Sequence, residues 1–320
     1  MLGLAFVLGP QPDYPQYDLK PLDLKVQLTD IDTYIATKEE KVADIKPDNE
    51  AKVIWCQDSV QQTEYSLVYL HGFSSSQGEG DPVHRQFAAR YGMNLYLARL
   101  ADHGRGTDDT FKGLTPKDLI NSAKEAIAIG AIIGKKVIVM SCSSGGTYSA
   151  MLTPSDSRIA AQIMYSPNIA LSDPTAKLVT YPWGKHILNT VMGGEYNRID
   201  YPVPAQQYWN SVYHTDGIVA LQSLIDDGMK AEYFQDIKVP TMIGCYYKND
   251  AEQDHVVSVS AMRTFYENIG TPADQKVMIE FPKAGRHVFT SHIMVEDFQE
   301  VNASTYDFAE TILGLRAVGL

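Results

Sequence analysis

A serine on a short turn is the strongest candidate for a nucleophile in this sequence. Ser143 follows the apolar run Lys136–Met140, which is typical of a buried strand, and precedes Thr147–Leu152, which is compatible with a helix. A strand, a sharp turn and a helix together make a nucleophile elbow, in which a strained backbone exposes a hydroxyl at the end of the strand. The pattern predicts Ser143 as a covalent nucleophile.

The residues around this serine are small, as the sharp turn requires. Gly145 lies two positions after Ser143, and Ser141 lies two positions before it, where a glycine is more usual. A turn centred on Ser144 is the alternative, but it would place the bulkier Cys142 at the preceding small-residue position. The N–H groups of the helix that follows would favour negative charge developing beside the nucleophile.

A hydroxyl becomes a good nucleophile only when a base removes its proton. His287 lies in a glycine-containing loop after the apolar run Lys276–Phe281, and we predict it as the general base. His292 is the competitor, although it lies where a helix is expected to begin.

The base in turn needs a carboxylate to orient it. Asp254 and Asp250 both follow the strand predicted over Thr241–Tyr247. We favour Asp254, because it precedes an apolar pair that would pack the loop down, and keep Asp250 as the alternative acid, with Glu252 third. The resulting order along the chain is serine, aspartate, histidine.

The segment His71-Gly72-Phe73 follows another apolar strand upstream of the serine. A glycine lets the backbone approach a ligand closely. We predict that the N–H groups of Phe73 and Ser144 form an oxyanion hole. Substrate-pocket positions are predicted at His71, Gly72, His103, Trp183 and Trp209.

Short apolar runs alternate with helical patterns from residue 52 onward, which predicts an α/β protein with a parallel sheet covered on both faces. The core is expected over residues 51–171 and 237–320. Residues 172–236 separate two strands by more than a crossover requires and are rich in aromatic residues, so we predict a cap or lid insert there. Residues 1–50 are predicted as an N-terminal appendage, with a helix over Thr29–Ile45 capped by Thr29.

Composition excludes some classes of function. The chain of 320 residues carries 27 Lys and Arg against 39 Asp and Glu, a net charge of −12, which disfavours nucleic-acid binding. No histidine or cysteine spacing matches a metal motif, and no cofactor is expected. The apolar residues 1–9 could be the stub of a signal or membrane anchor, or a loose terminus, so both exported or envelope-anchored and cytoplasmic locations stay open, with membrane contact expected only for an anchor.

The pieces LVYLHGF, LARLADHGRG, IVMSCSSGG, DHVVS and GRHV occur in this order. In this pattern residues 64–316 resemble the α/β-hydrolase superfamily, in particular bacterial carboxylesterases and monoacylglycerol-lipase-like enzymes. The resemblance implies a three-layer fold with a mostly parallel eight-stranded sheet, a cap after the sixth strand, and Ser143, Asp254 and His287 as the catalytic triad.

We expect a serine hydrolase that cleaves a small or medium-sized ester with an apolar part. A thioesterase, acyltransferase or peptidase with the same triad, and a non-catalytic binding protein on this scaffold, are the alternatives.

Overall fold

A central β-sheet organises the chain in the computed structural model, which describes residues 9–319. Seven strands form this sheet in the order β1-β3-β2-β4-β5-β8-β11. The strands are β1 (Lys52–Ile54), β2 (Thr63–Leu70), β3 (Asn94–Leu97), β4 (Gly134–Cys142), β5 (Ile159–Tyr165), β6 (Tyr196–Arg198), β7 (Val212–His214), β8 (Thr241–Cys245), β9 (Tyr247–Asn249), β10 (Glu252–Gln253) and β11 (Lys276–Glu280). The remaining four pair as two small antiparallel hairpins, β6 with β7 and β9 with β10.

Helices connect the strands of the sheet. They are α1 (Ile31–Glu39), α2 (Val83–Arg90), α3 (Pro116–Ile133), α4 (Ser144–Leu152), α5 (Gly184–Met192), α6 (Val203–Gln206), α7 (Asp216–Gly228), α8 (Ala231–Phe234), α9 (Val259–Asn268) and α10 (Gln299–Thr311). Short 3₁₀ turns lie at Leu28–Asp30, Gln77–Gly80, Pro174–Thr180 and Ala273–Gln275.

Both faces of the sheet are covered, which confirms the predicted α/β architecture. Along β2, Val68 and Leu70 belong to one hydrophobic core, whereas Leu67 and Tyr69 belong to another. Because successive side chains of a strand point to opposite faces, the two cores lie on opposite sides of the sheet. The near-continuous apolar runs of the sequence follow from this double burial.

The strand order reverses at β2, and this reversal determines where a site can form. The chain passes from β2 to β3 on one side and then returns to β4 on the other, with β2 parallel to both neighbours. In open parallel sheets, ligands bind at the carboxyl ends of the strands beside such a switch point. The loops that follow β2 and β4 carry His71-Gly72-Phe73 and Ser143.

The expectation of eight strands is wrong for the described residues. The sheet has seven, and its edge strand β1 is three residues long and antiparallel to β3. Before β1 the backbone turns at Asp44 and Asp48, which have left-handed conformations (φ 59° and 62°), so it does not add another strand. Residues 172–236 consequently follow the fifth strand of the sheet, not the sixth.

The predicted helix over Thr29–Ile45 is shorter in the structure. Helix α1 ends at Glu39, and Thr29 makes no capping hydrogen bond to the helix backbone; it lies in the preceding 3₁₀ turn. The Lys46 N–H donates to the Gly104 carbonyl at 2.9 Å, and Ile45 forms an isolated bridge with Arg105. These contacts to the core draw the chain away from the helix axis. Residues 1–8 of the predicted anchor stub lie outside the described residues.

Candidate active site

Ser143 lies at the junction of β4 and α4 with an unusual backbone conformation. Its φ is 53° and its ψ is −120°. Its N–H donates to the Tyr165 carbonyl at 3.0 Å, and its own carbonyl accepts the N–H groups of Gly146 and Asn168, each at 2.9 Å. Such strain persists only where surrounding contacts enforce it, and it clusters at functional sites. Ser143 retains 8% exposure directly after a strand that is buried from Val137 to Cys142.

The requirement for a small residue after the serine has a direct steric cause. A Cβ on Gly145 would lie 2.0 Å from the Leu70 carbonyl oxygen, which belongs to the neighbouring strand β2. Two positions before the serine, Ser141 is fully buried within β4 and is accommodated there. Ser144, the alternative nucleophile, is the first residue of α4 and is also fully buried.

The loop after β2 borders Ser143. A Cβ on Gly72 would lie 3.0 Å from the Ser143 Cβ, so the glycine backbone lies directly beside the serine. The ring of Phe73 stacks on Phe111, with centroids 4.7 Å apart. At the first turn of α4, the N–H of Ser144 has no carbonyl acceptor within the helix. Backbone N–H groups of these two loops can therefore stabilise negative charge near Ser143.

His287 and Asp254 form a hydrogen-bonded pair although they are 33 residues apart in sequence. His287 Nδ1 lies 2.7 Å from Asp254 Oδ2. The other oxygen, Oδ1, accepts the N–H groups of Val256 at 2.8 Å and Val257 at 3.1 Å. Burial alone would raise the pKa of Asp254, but the histidine and the two N–H groups outweigh it and hold that pKa below its usual value. The carboxylate thus stays charged and accepts a hydrogen bond from the imidazole N–H.

The other titratable candidates do not join this pair. Asp250 lies exposed in the turn between β9 and β10, where it accepts the Tyr247 hydroxyl at 2.9 Å. Glu252 pairs with Lys248 at 2.8 Å. The ring of His292 lies 3.0 Å from the Asp81 carbonyl oxygen and is exposed.

His71, predicted in the substrate pocket, is instead fully buried and holds the backbone. His71 Nε2 accepts the Leu100 N–H at 3.1 Å, so Nδ1 carries the proton and donates to the Gly72 carbonyl at 2.9 Å. Burial lowers the pKa of His71 to about 4, so this ring is neutral at pH 7. Its position ties the loop after β2 to the loop after β3.

His103, the second predicted pocket histidine, is also fully buried. It packs edge-on against His71, with ring centroids 4.9 Å apart, and its Nδ1 lies 2.8 Å from the Ala101 carbonyl oxygen. Burial holds its pKa well below the usual value. Neither histidine side chain presents a surface to a substrate in this structure.

The two predicted pocket tryptophans lie in different surroundings within residues 172–236. Trp183 is 40% exposed; its ring packs against Gly9, and its backbone N–H donates to the Pro10 carbonyl at 2.9 Å. Trp209 is buried, and the next residue, Asn210, donates its N–H to the Ser74 carbonyl at 2.7 Å. Trp209 therefore lies beside the loop after β2, whereas Trp183 lies against the N-terminal segment.

Sequence reasoning missed a buried carboxylate beside the serine. Glu79 is 2% exposed, and a Cβ on Gly72 would lie 2.6 Å from its Oε1 and 3.0 Å from the Ser143 Cβ. Burial raises the pKa of Glu79, against the opposing effect of hydrogen bonds from Gly72 and Ser75. The sequence signal that could have indicated this residue is a glutamate flanked by two glycines, Gly78 and Gly80. In the structure, a Cβ on either glycine would clash with an aromatic ring.

Two further classes of site are not found in the part of the chain that the structure describes. No group of three or more histidine, cysteine or acidic side chains there could hold a metal ion. No helix within residues 9–319 is both long and apolar enough to cross a bilayer.

The fold is shared with several solved structures, although sequence identity is low. A structure from work on the metagenome-derived lipolytic enzymes LipS and LipT aligns with a TM-score of 0.65 and 16% identity, covering 83% of this chain and 98% of its own. Est1E from Butyrivibrio proteoclasticus with bound ferulic acid aligns at 0.57 and 15%, covering 85% and 100%. The monoacylglycerol lipase of Paleococcus ferrophilus aligns at 0.56 and 13%, covering 81% and 96%.

Comparisons at the level of sequence give no relative. No protein-family model matches the chain, and no curated protein matches it significantly. Since identities below about 25% carry the architecture alone, activity must be argued from the residues of this chain.

Proposed function

We propose that this chain, which has the α/β-hydrolase fold, is a serine hydrolase that cleaves carboxylic esters through an acyl-enzyme. The observation that carries the proposal is the Asp254–His287 pair, with 2.7 Å between carboxylate and imidazole. It lies at the same sheet edge as a serine with a strained backbone at a helix N-terminus. An acid that fixes a histidine tautomer, together with such a serine, is the arrangement that activates a hydroxyl.

In the proposed mechanism, the Ser143 hydroxyl attacks the acyl carbon of the ester. His287 Nε2 takes the hydroxyl proton and becomes an imidazolium, while the ionised Asp254 accepts a hydrogen bond from Nδ1–H and stabilises that positive charge. The N–H groups of Phe73 and Ser144 hold the oxyanion of the tetrahedral intermediate. The intermediate collapses as His287 protonates the leaving alcohol, and a water molecule activated by the same histidine then releases the acid.

Residues 172–236 are proposed to cap this site. The segment begins beside the acid loop, since Ser172 donates its N–H to the Val256 carbonyl at 3.0 Å. It later reaches the loop after β2 through the bond between Asn210 and Ser74. Both contacts border the proposed triad, which supports a cap whose aromatic residues receive the apolar part of an ester. The net charge of −12 disfavours a highly anionic substrate.

A serine-directed fluorophosphonate tests the proposal without a guess about the substrate. Intact-mass measurement should find one adduct on the wild type and none on Ser143→Ala. Ser122→Ala, which alters a part-buried serine on α3, is the matched control and should label like the wild type. Labelling retained by Ser143→Ala would move the nucleophile to another serine, with Ser144 checked first.

Hydrolysis assays then identify the reaction. A panel of p-nitrophenyl esters, a thioester and a peptide amide should show ester cleavage as the preferred reaction. A wild type that neither labels nor cleaves any of them would overturn the hydrolase proposal and favour a binding protein on this scaffold.

A further inference from the structure

The Glu79 side chain forms hydrogen bonds with residues of β2 and of the loop that follows it. It lies in the 3₁₀ turn Gln77–Gly80, and its Oε2 accepts the Gly72 N–H at 2.6 Å and the Tyr69 hydroxyl at 3.2 Å. Its Oε1 lies 2.9 Å from the Ser75 hydroxyl. A buried carboxylate needs such donors because desolvation of a charge is costly. Three donors from β2 and the loop after it thus converge on one side chain.

The same turn is bonded to the loop that carries the histidine. Thr290 Oγ1 donates to the Glu79 carbonyl at 2.8 Å, and Ser291 Oγ donates to the Gly78 carbonyl at 2.8 Å. These residues follow His287 by three and four positions. Glu79 therefore connects the loop beside Ser143 to the loop of the proposed base.

The hydrogen bond from the Gly72 N–H to Glu79 matters because a glycine backbone is not restrained by a side chain. With no Cβ, Gly72 can rotate about both of its backbone dihedrals at little cost. Its N–H is fixed by Glu79, and its carbonyl is fixed by His71 Nδ1 at 2.9 Å. Because a trans peptide is planar, fixing the Gly72 carbonyl also sets the direction of the Phe73 N–H. The two contacts together orient the peptide that supplies the proposed oxyanion donor.

We propose that Glu79 is a positioning residue for the oxyanion hole, acting through its hydrogen bond to the Gly72 N–H and its bridge to Ser75. The inference rests on the proposed hydrolase function and deepens it. The role depends on the reach and acceptor geometry of the side chain, not on its charge. An aspartate keeps the charge but is one methylene shorter, so it withdraws from Gly72. A glutamine keeps an oxygen toward Gly72 and can donate its amide to the Ser75 hydroxyl.

The experiment compares Glu79→Asp with Glu79→Gln, using p-nitrophenyl butyrate turnover and the rate of fluorophosphonate labelling. We expect Glu79→Asp to lower kcat and the labelling rate about 10- to 100-fold with KM changed by less than about 3-fold, since a displaced catalytic group costs on this scale. Glu79→Gln should stay within about 5-fold of the wild type. Glu64→Gln, at the exposed start of β2, is the matched control and should behave like the wild type.

The outcomes separate this inference from the proposed function. A wild type that neither turns over the ester nor labels would refute the hydrolase itself. An active wild type with undiminished Glu79→Asp would overturn the positioning role, and so would a Glu79→Gln as impaired as Glu79→Asp, because charge would then be what matters. Should Glu79→Asp not fold, Ser75→Ala removes the bridging hydroxyl, and a kcat equal to that of the wild type would count against the proposal.

Discussion

Replacing Asp254 by asparagine should abolish the proposed hydrolase activity with little change in the shape of the site. In the wild type, Oδ1 accepts the N–H groups of Val256 and Val257, and Oδ2 lies 2.7 Å from His287 Nδ1. An asparagine can keep its oxygen on the two N–H groups, which leaves its amide NH₂ facing His287. The imidazole would then accept a hydrogen bond from this amide at Nδ1 and carry its own proton on Nε2. A ring protonated at Nε2 cannot take the proton of Ser143.

The size of the effect follows from the contact. Asp254 is 2% exposed, and no bulk solvent competes for its bond to the histidine. A wrong tautomer at such a site lowers kcat by about 10³- to 10⁴-fold, which corresponds to about 4–5 kcal/mol of lost transition-state stabilisation. KM should change little, because the carboxylate lies behind the histidine and does not contact the substrate.

Steady-state kinetics with p-nitrophenyl butyrate measures this loss, and Asp250→Asn is the matched control. Asp250 is the competing acid from the sequence, but it is exposed and bonded to Tyr247. Its variant should retain kcat within about 2-fold, as an exposed polar contact is worth little. If Asp250→Asn loses activity while Asp254→Asn keeps more than about a tenth of it, the reasoning from the structure is refuted.

The Asp254→Asn variant also tests how the free energy of unfolding depends on pH in the acid range. The pKa of folded Asp254 lies below its usual value, whereas in the unfolded chain it is about 3.9. A depressed carboxyl pKa contributes stability that is present above the unfolded value and is lost as pH falls through the folded value. The stability difference between wild type and Asp254→Asn in urea unfolding should therefore shrink as pH is lowered from about 6 to below 4. A difference that stays constant over this range would contradict the assignment.

Two other substitutions have expected results that the structure sets. Gly72→Ala would place a Cβ 3.0 Å from the Ser143 Cβ, and fluorophosphonate labelling should slow by about 10-fold or more; labelling at the wild-type rate would mean that this loop does not border the nucleophile. Arg99→Met would leave the Glu39 carboxylate, 2.6 Å from Arg99 Nε and 10% exposed, without its cationic partner, and urea unfolding should show a loss of about 3–5 kcal/mol. Arg90→Met, in the exposed ion pair with Glu310, is the control and should lose much less stability.

Local signals in the sequence predicted local structure well. Helix α3 begins after Thr115, whose side chain accepts the Asp118 N–H, and Pro116 is its first residue, an arrangement that a Thr-Pro pair favours. It ends at Ile133, and Gly134 is its C-cap residue. The turn at Ser143 between a strand and a helix also follows from neighbouring residues. These features depend on contacts within a few residues, so sequence spacing carries them.

Features that depend on distant contacts were not predictable in the same way. The N-terminal helix stops at Glu39 because the chain after it bonds to the loop at Gly104 and Arg105. His71 resembled a pocket residue because it adjoins Gly72, but its ring is needed to hold two loops together and is buried. Neither outcome can be read from local pattern, since burial depends on which segments pack against the residue.

The role of Ser143 as nucleophile and of the triad as a unit stays a prediction. The structure nevertheless shows why a sequence motif alone does not identify all the residues that form such a site. The motif identifies a serine. The residues that hold the neighbouring loops in place belong to no motif of their own. Glu79 bonds to Gly72 on one side, and its backbone accepts Thr290 on the other, at a separation of 211 positions along the chain. A site assembled in this way should tolerate changes in surface residues near the serine but not the loss of a buried acceptor that holds its loops. Glu79→Asp and Glu64→Gln compare the two cases directly, a buried acceptor in the turn after β2 and an exposed residue in β2 itself.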